Sequence, residues 1–232
     1  MSTLTRCTTD LINLLFPDLC NACGNILYHG EALICTTCLY DLPFTDYHLY
    51  AANPVARQFW GRVPIHAAMS FLYFGKGSRV QQMIHALKYK GRTQLGVRLG
   101  EMLGTALLKA NLYQGITMII PVPLHKKQER NRGYNQSKCI ADGIALVLNV
   151  PVENECITRI KRTESQTKKT RFNRYLNMTT VFSVINPAKL ENQYILLVDD
   201  VMTTGSTLEA CATLLLEHKL HRLSIATLAF VK

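Results

Sequence analysis

Two adjacent carboxylates, Asp199 and Asp200, stand between an apolar run and a stretch of small residues that mostly carry hydroxyl groups. The apolar run, residues 195–198, is bounded by charge and is typical of a central strand buried on both faces. The small residues that follow are Thr203, Thr204, Gly205, Ser206 and Thr207. Because ligands bind at the carboxyl ends of strands in open α/β sheets, we expect the carboxylates and this loop to form one site.

The loop and the carboxylates favour different parts of one ligand. Gly205 is free to adopt unusual dihedral angles, and the loop leads directly into a predicted helix. Backbone N–H groups, the positive helix end and the hydroxyls there suit a phosphate. Ionised aspartates only accept hydrogen bonds, so the pair suits a neighbouring diol. A phosphate beside vicinal hydroxyls is a ribose 5-phosphate, and the sequence predicts a site for that group.

Two other interpretations of this segment are weaker. A Walker B strand of a nucleotide-hydrolysing protein requires a partner motif G-x-x-x-x-G-K-[ST], which the chain lacks. In the purely structural interpretation, the two aspartates end a strand and cap a helix. A cap needs only one aspartate, so it leaves the rest of the arrangement unexplained.

A second polar loop, residues 121–132, follows a predicted strand at 117–120. Pro121 and Pro123 stiffen this loop and remove competing N–H donors. The basic residues beyond them include Arg132, whose planar fork of donors suits a pyrophosphate. The alternative is a solvated basic loop.

Positive charge is concentrated in the middle of the chain. The formal net charge is +10, and residues 121–175 carry 12 basic and five acidic residues, which leaves +7 there. Residues 159–174 are polar and lack an apolar period, which predicts a mobile loop that closes over an anionic site. Its candidate catalytic cations are Lys161, Arg162 and Lys168. The alternatives are a positive strip along a nucleic-acid backbone and a solubilising surface.

Four of the eight cysteines form the pairs Cys20-x-x-Cys23 and Cys35-x-x-Cys38. Two such pairs provide the tetrahedral all-sulfur coordination that suits Zn²⁺, and a closed site of this kind is structural. A redox dithiol is the alternative, although thioredoxin-like sites use a single C-x-x-C. We therefore expect a zinc-ribbon module at residues 1–52, folded by its metal.

Residues 65–232 alternate strand-like apolar runs with helical patterns, as in an α/β domain with a mainly parallel sheet. The expected strands are 67–73, 117–120, 194–198 and 223–230, and the expected helices include 80–87, 95–106, 140–148 and 206–218. Residues 53–64, which contain Pro54, Gly61 and Pro64, are predicted to be a linker.

The chain shows no secretory signal, and no apolar run approaches the roughly 20 residues that span a bilayer. We expect a cytoplasmic protein with reduced thiols and no membrane insertion.

Residues 195–207 match the thirteen-residue signature of the type I phosphoribosyltransferases at each position, and the chain resembles that family. The resemblance implies a Rossmann-like, mainly parallel fold, 5-phosphoribosyl-1-pyrophosphate (PRPP) as ligand, and Mg²⁺ bound with it. It implies that Asp199 and Asp200 hold the ribose hydroxyls and that residues 203–207 hold the 5-phosphate. We also assign Pro123, Leu124 and Arg132 to PRPP binding.

The order of the motifs is more specific than any one of them. Pro-Val-Pro-Leu-His with Arg-Gly-Tyr-Asn-Gln, then Ser-Gln-Thr, then the acidic signature, resembles the ComF family of competence-associated proteins. That family is implicated in uptake of transforming DNA, as a cytosolic partner of the DNA-translocating helicase and channel. If the chain is an enzyme, it transfers a group to the ribose anomeric carbon as pyrophosphate leaves. The alternatives are a non-catalytic PRPP-sensing or single-stranded DNA-binding module that docks on a helicase, and a nucleotide salvage or amidophosphoribosyltransferase-like enzyme.

Overall fold

A four-stranded parallel sheet forms the centre of the computed structural model, which describes residues 17–159 and 181–231. Its strands are β1 (Ala67–Phe74), β2 (Met118–Pro121), β5 (Tyr194–Met202) and β6 (Arg222–Val231). The strand order is β1-β6-β5-β2, and each neighbouring pair is parallel. The strands β3 (Ile157–Arg159) and β4 (Phe182–Val184) form a separate antiparallel pair.

Helices connect the strands. They are α1 (Thr36–Tyr40), α2 (Pro54–Arg57), α3 (Arg79–Tyr89), α4 (Thr93–Leu108), α5 (Lys126–Arg132), α6 (Gln136–Leu148) and α7 (Ser206–Leu216). Single 3₁₀ turns occur at Tyr47–Leu49, Asn111–Tyr113 and Pro187–Leu190. The strands and longer helices predicted from hydrophobic periodicity are confirmed.

The sheet is covered on both faces, as its continuous apolar strands require. On β5, Leu196 and Val198 belong to a core cluster with residues of α3, α4 and α6. The alternate residues Ile195 and Leu197 belong to a second cluster with residues of α7. The prediction of a central strand buried on both faces is therefore confirmed.

A crevice opens where β2 and β5 part. Their pairing ends with Pro121 opposite Val198, and the Val122 N–H donates to the Val198 carbonyl at 2.8 Å. β5 then continues to Met202 beside β6 alone, so it is longer than the 194–198 segment predicted. After β2 the chain leads to α6 in one layer, and after β5 it leads to α7 in the other. This is the arrangement in which α/β folds bind ligands.

Residues 53–64, predicted as a linker, contribute to the core instead. The Asn53 side chain accepts from the N–H groups of Val55 and Ala56 and donates to the Ala68 carbonyl at 2.8 Å. Val55, Ala56 and Phe59 are buried. Pro54 starts a helix, where its missing N–H costs nothing. A helix that begins with proline and a proline-containing linker can have the same amino-acid composition, so composition did not separate them. The boundaries 1–52 and 65–232 stay a prediction.

Two glycines let α4 and α6 approach closely. A Cβ atom added at Gly143 would overlap the Val97 carbonyl oxygen, and one added at Gly100 would overlap the Ile140 carbonyl oxygen. This contact fixes α6 in the layer that it shares with α4, and the first turn of α6 lies at the crevice.

We expect Gly143→Ala to lower the free energy of unfolding by about 1–3 kcal/mol, because the added methyl group must separate two packed helices. Chemical denaturation measures the change. The control is Leu146→Ala on the same helix, where the side chain is 70% exposed and the expected change is within about 0.5 kcal/mol. Equal stabilities for the two variants would contradict the packing argument.

Candidate functional site

The acidic pair lies on the last part of β5 and is held by specific partners. Asp199 is partly buried, and its Oδ1 accepts from the Ser137 hydroxyl at 2.8 Å and from the Asp200 N–H at 2.8 Å. Ser137 belongs to the first turn of α6, so the helix after β2 reaches across to the strand beside it. This contact orients the Asp199 carboxylate toward the crevice.

Asp200 is more buried, with 4% of its surface exposed. Its Oδ1 accepts from the Val201 N–H at 2.7 Å. Its Oδ2 lies 2.6 Å from Nζ of Lys88, on the last turn of α3. The ammonium group offsets the cost of burying this carboxylate.

Burial raises the pKa of the Asp199 carboxyl above its ordinary value, and the neighbouring Asp200 charge raises it further. The hydrogen bonds from Ser137 and from the Asp200 N–H act in the opposite direction, as does the charge of Lys88. Raised carboxyl pKa values of this origin mark sites where a ligand or cation is expected to complete the charge balance.

The loop after β5 leaves its donors available. Gly205 precedes α7 with φ of 72°, and no side chain caps the helix. A Cβ atom at Gly205 would lie 3.2 Å from Met202 Cε and 3.4 Å from Phe59 Cζ, so a side chain there would be tightly packed as well as strained by the positive φ. Thr203 and Thr204 are exposed. The Thr204 hydroxyl donates to Ser206 Oγ at 3.1 Å. The N–H groups of the first turn of α7 thus lie beside hydroxyl groups, an arrangement that suits an anion.

The loop after β2 runs along the same edge. Asn135 donates to the Val122 carbonyl at 3.0 Å and accepts from the Ser137 N–H, which fixes this loop against the start of α6. Pro123 and Leu124 are partly buried at the crevice.

Arg132, at the end of α5, is held from two sides. It donates to Gln136 Oε1 at 2.9 Å, and its guanidinium lies 5.3 Å from the centre of the Tyr89 ring. A cavity of about 430 Å³ separates the end of α3 from α5. Its lining residues are Lys88, Tyr89, Gly91, Gln128, Asn131, Arg132 and Tyr134.

The structure thus brings the acidic pair, residues 203–207 and the loop with Pro123 and Leu124 to adjacent strand ends. Arg132 joins them through the cavity that it shares with Lys88. The candidate catalytic residues Lys161, Arg162 and Lys168 lie outside the described residues.

Sequence reasoning gave no role to Lys88 or Ser137. Ser137 could have been found from topology, because it begins the helix that follows the strand beside β5. No such signal pointed to Lys88.

The four paired cysteines converge near the start of the described chain. The sulfur atoms of Cys20, Cys23, Cys35 and Cys38 all lie within 4.8 Å of one another, and all four are free thiols. Such a cluster of four sulfur donors could hold a metal ion such as zinc.

Backbone donors favour the ionised form of one sulfur in this cluster, that of Cys20, whereas burial raises the pKa of Cys38. The N–H groups of Cys35 and Ala22 lie 3.2 and 3.4 Å from the Cys20 sulfur. Burial opposes ionisation of Cys20, but these donors outweigh it and lower its pKa to about 7. Thiolates are the form of cysteine that binds metals.

No helix in residues 17–159 and 181–231 is long and apolar enough to cross a membrane.

We expect Asp199→Asn to stabilise the fold at about pH 8, on the order of 1 kcal/mol, because the ionised form is disfavoured in the folded state. The folded protein holds this proton to higher pH than the unfolded chain. Wild-type stability therefore falls as pH rises above the ordinary Asp pKa, and the advantage of asparagine shrinks toward about pH 4. Thermal unfolding across this range measures it.

Asp142→Asn is the control for this effect, because the substitution removes only the surface ion pair between Asp142 and Lys138. We expect it to change the free energy of unfolding by less than about 0.5 kcal/mol. If the stability of Asp199→Asn relative to the wild type increased as the pH fell, the predicted direction of the pH dependence would be wrong.

Comparison with known proteins agrees with this geometry. The family model "Phosphoribosyl transferase domain" matches residues 138–232. The DNA utilization protein YhgH of Shigella flexneri is 28% identical over 220 residues, 88% of this chain and 93% of that protein. Competence protein F of Haemophilus influenzae is 30% identical over 137 residues, 57% of this chain and 60% of that protein.

A solved structure of glutamine PRPP amidotransferase from B. subtilis has a TM-score of 0.45 and 15% identity, covering 62% of this chain and 30% of that one. The phosphoribosyltransferase match and the parallel sheet together confirm the predicted fold class, and the four-cysteine cluster is consistent with the predicted zinc ribbon. These similarities support the predicted resemblance of the chain to the ComF family of phosphoribosyltransferase-like proteins.

Proposed function

We propose that the chain binds PRPP with Mg²⁺ at the crevice between β2 and β5, and that it acts in the uptake and use of DNA. The observation that carries the proposal is the position of Asp199 beside the uncapped start of α7, with the buried Asp200 next to it on β5. Few ligands other than a phosphorylated sugar need carboxylates that accept hydrogen bonds from hydroxyl groups next to a set of donors that binds phosphate.

The proposed pose follows from the donors and acceptors available. The 5-phosphate accepts hydrogen bonds from the N–H groups and hydroxyls of residues 203–207. The ribose hydroxyls donate to the acidic pair, where Oδ1 of Asp199 is already engaged by Ser137. The diphosphate group extends toward Pro123, Leu124 and Arg132, and we assign Lys161, Arg162 and Lys168 to the loop that closes over it.

The acidic pair also fits a hard cation. Carboxylate oxygens are ligands that Mg²⁺ prefers, and Asp199 is the more accessible of the two. Bound with PRPP, Mg²⁺ would neutralise the diphosphate group as it leaves. The protein would orient the ribose carbon and exclude water around it, so that its contribution is positioning and electrostatics.

A role with DNA is supported by the relatives' names, DNA utilization protein and Competence protein F, and by charge. Lys126, Lys127 and Arg130 are exposed on α5, which flanks the crevice. A cationic helix there would attract the phosphates of single-stranded DNA. We assign the protein to the cytoplasm, as a partner of the helicase and channel that deliver the strand.

For the four-cysteine cluster we propose Zn²⁺ in a structural role. Cys23→Ser should lower the zinc content below one ion per chain and lower the melting temperature, because the metal supplies folding energy to this small module. Elemental analysis and thermal unfolding measure both. Cys139→Ala, which removes a buried thiol outside the cluster, should keep the zinc. Full zinc content in Cys23→Ser would exclude the assignment.

The double variant Asp199→Asn with Asp200→Asn should weaken PRPP binding by at least about 100-fold, since hydrogen bonds to charged groups contribute about 1.5–3 kcal/mol each. Isothermal titration calorimetry with Mg²⁺ measures the affinity. Asp142→Asn is the matched control on α6 and should bind as the wild type does. Unchanged affinity in the double variant would remove the basis of the proposal.

The same titration in the presence of a single-stranded oligonucleotide tests the role with DNA. Reciprocal changes in the two affinities, with DNA affinity falling steeply with salt, would support a shared function. An oligonucleotide that does not bind at low salt would contradict it.

A further inference from the structure

Lys88 occupies an acceptor that the proposed ligand needs. Oδ1 of Asp200 accepts the Val201 N–H. The buried Oδ2 forms an ion pair with Lys88, whose Nζ lies 2.6 Å away, but no described residue donates a hydrogen bond to it. A ribose hydroxyl therefore reaches Oδ2 only if the Lys88 ammonium moves. Such a movement would leave a buried carboxylate without its counter-ion unless another donor replaces it.

The same lysine faces a second environment. It lines the cavity of about 430 Å³ between α3 and α5, together with Gln128, Asn131 and Arg132. These side chains present amide N–H groups and a guanidinium, and among the described residues none that lines the cavity is acidic. The flexible Lys88 ammonium and the Arg132 guanidinium, together with amide donors, form an environment that suits a multiply charged anion.

We propose that Lys88 exchanges between these two partners. Without ligand it covers Asp200, and when a diphosphate group enters the cavity it turns toward that group and exposes Asp200 Oδ2 to a ribose hydroxyl. This inference rests on the proposed function and adds a residue and a coupling to it. The Lys88 side chain is 23% exposed and its four-carbon stem is flexible, so the ammonium group can change partners without movement of α3.

The exchange makes binding of the two ligand parts cooperative. When a diphosphate draws Lys88 away, part of its favourable binding free energy is lost because Asp200 is left unpaired. A ribose hydroxyl that donates to Asp200 recovers that free energy. The converse holds for ribose, so each part favours the other by the same factor. A lysine that serves only as a fixed counter-ion would give no such coupling.

The test uses the two parts as separate probes on the full chain. The affinity for ribose 5-phosphate is measured by calorimetry with Mg²⁺, with and without saturating inorganic pyrophosphate. In the wild type, pyrophosphate should raise the affinity for ribose 5-phosphate by about 5- to 10-fold. In Lys88→Met the ratio should fall to about one, while the affinity without pyrophosphate stays at or above the wild-type value, because no ammonium has to be displaced.

Lys90→Met is the matched control. Lys90 is exposed at the end of the same helix and does not line this cavity, so the coupling should persist. Lys88→Gln, which keeps a hydrogen-bond donor, provides a second variant in case the methionine variant does not fold, and it should also lose the coupling.

The outcomes separate the two proposals. If ribose 5-phosphate binds but pyrophosphate does not change its affinity, the exchange of Lys88 is wrong and the proposed function stands. Coupling that survives in Lys88→Met or Lys88→Gln overturns the exchange as well. If ribose 5-phosphate does not bind the wild type, the proposed function fails and the inference fails with it.

Discussion

The burial of two adjacent carboxylates at the end of β5 is the constraint on which the site depends. Like charges so close together, and partly removed from water, are unfavourable unless donors surround them. Backbone N–H groups of β5 itself and the Ser137 hydroxyl of α6 donate hydrogen bonds here, and the Lys88 ammonium of α3 adds an ion pair. The positions of two helices are therefore part of the site, even though neither helix belongs to the signature segment.

The rest of the fold holds those helices in place. The close approach of α4 and α6 at Gly100 and Gly143 fixes the helix that carries Ser137. The four-cysteine cluster contributes to the position of α3, because its cysteines share a core cluster with residues of α3. In addition, Arg79 at the start of α3 pairs with Asp41 at 2.6 Å, next to α1. The segment that carries the four-cysteine cluster therefore supports the helix whose last turn bears Lys88.

The fold and half of the site were predictable from local patterns. One continuous segment contains the strand 194–198, the acidic pair and the loop through Gly205, so the sequence of that segment alone predicts their role. Lys88 and Ser137 lie far from the aspartates in sequence, and their contacts depend on how helices pack, which periodicity does not encode. Asn53 and Pro54 were predicted to be linker residues because of an ambiguity in the local sequence, since a helix start and a linker can have the same composition.

The early end of β2 explains why the site opens where it does. β5 continues past Val198 without a strand paired to it on that side in the part of the chain that the structure describes, so its backbone edge is open beside Asp199. Acceptors on β5 then stand between two groups of donors, the start of α7 on one side and the cavity with Lys88 and Arg132 on the other. This order of charge complements the ligand proposed above, which has anionic ends and hydroxyls between them. In the proposed exchange, a lysine suits the position beside Asp200 better than a fixed N–H group, because a flexible cation can pair with groups on either side of that boundary.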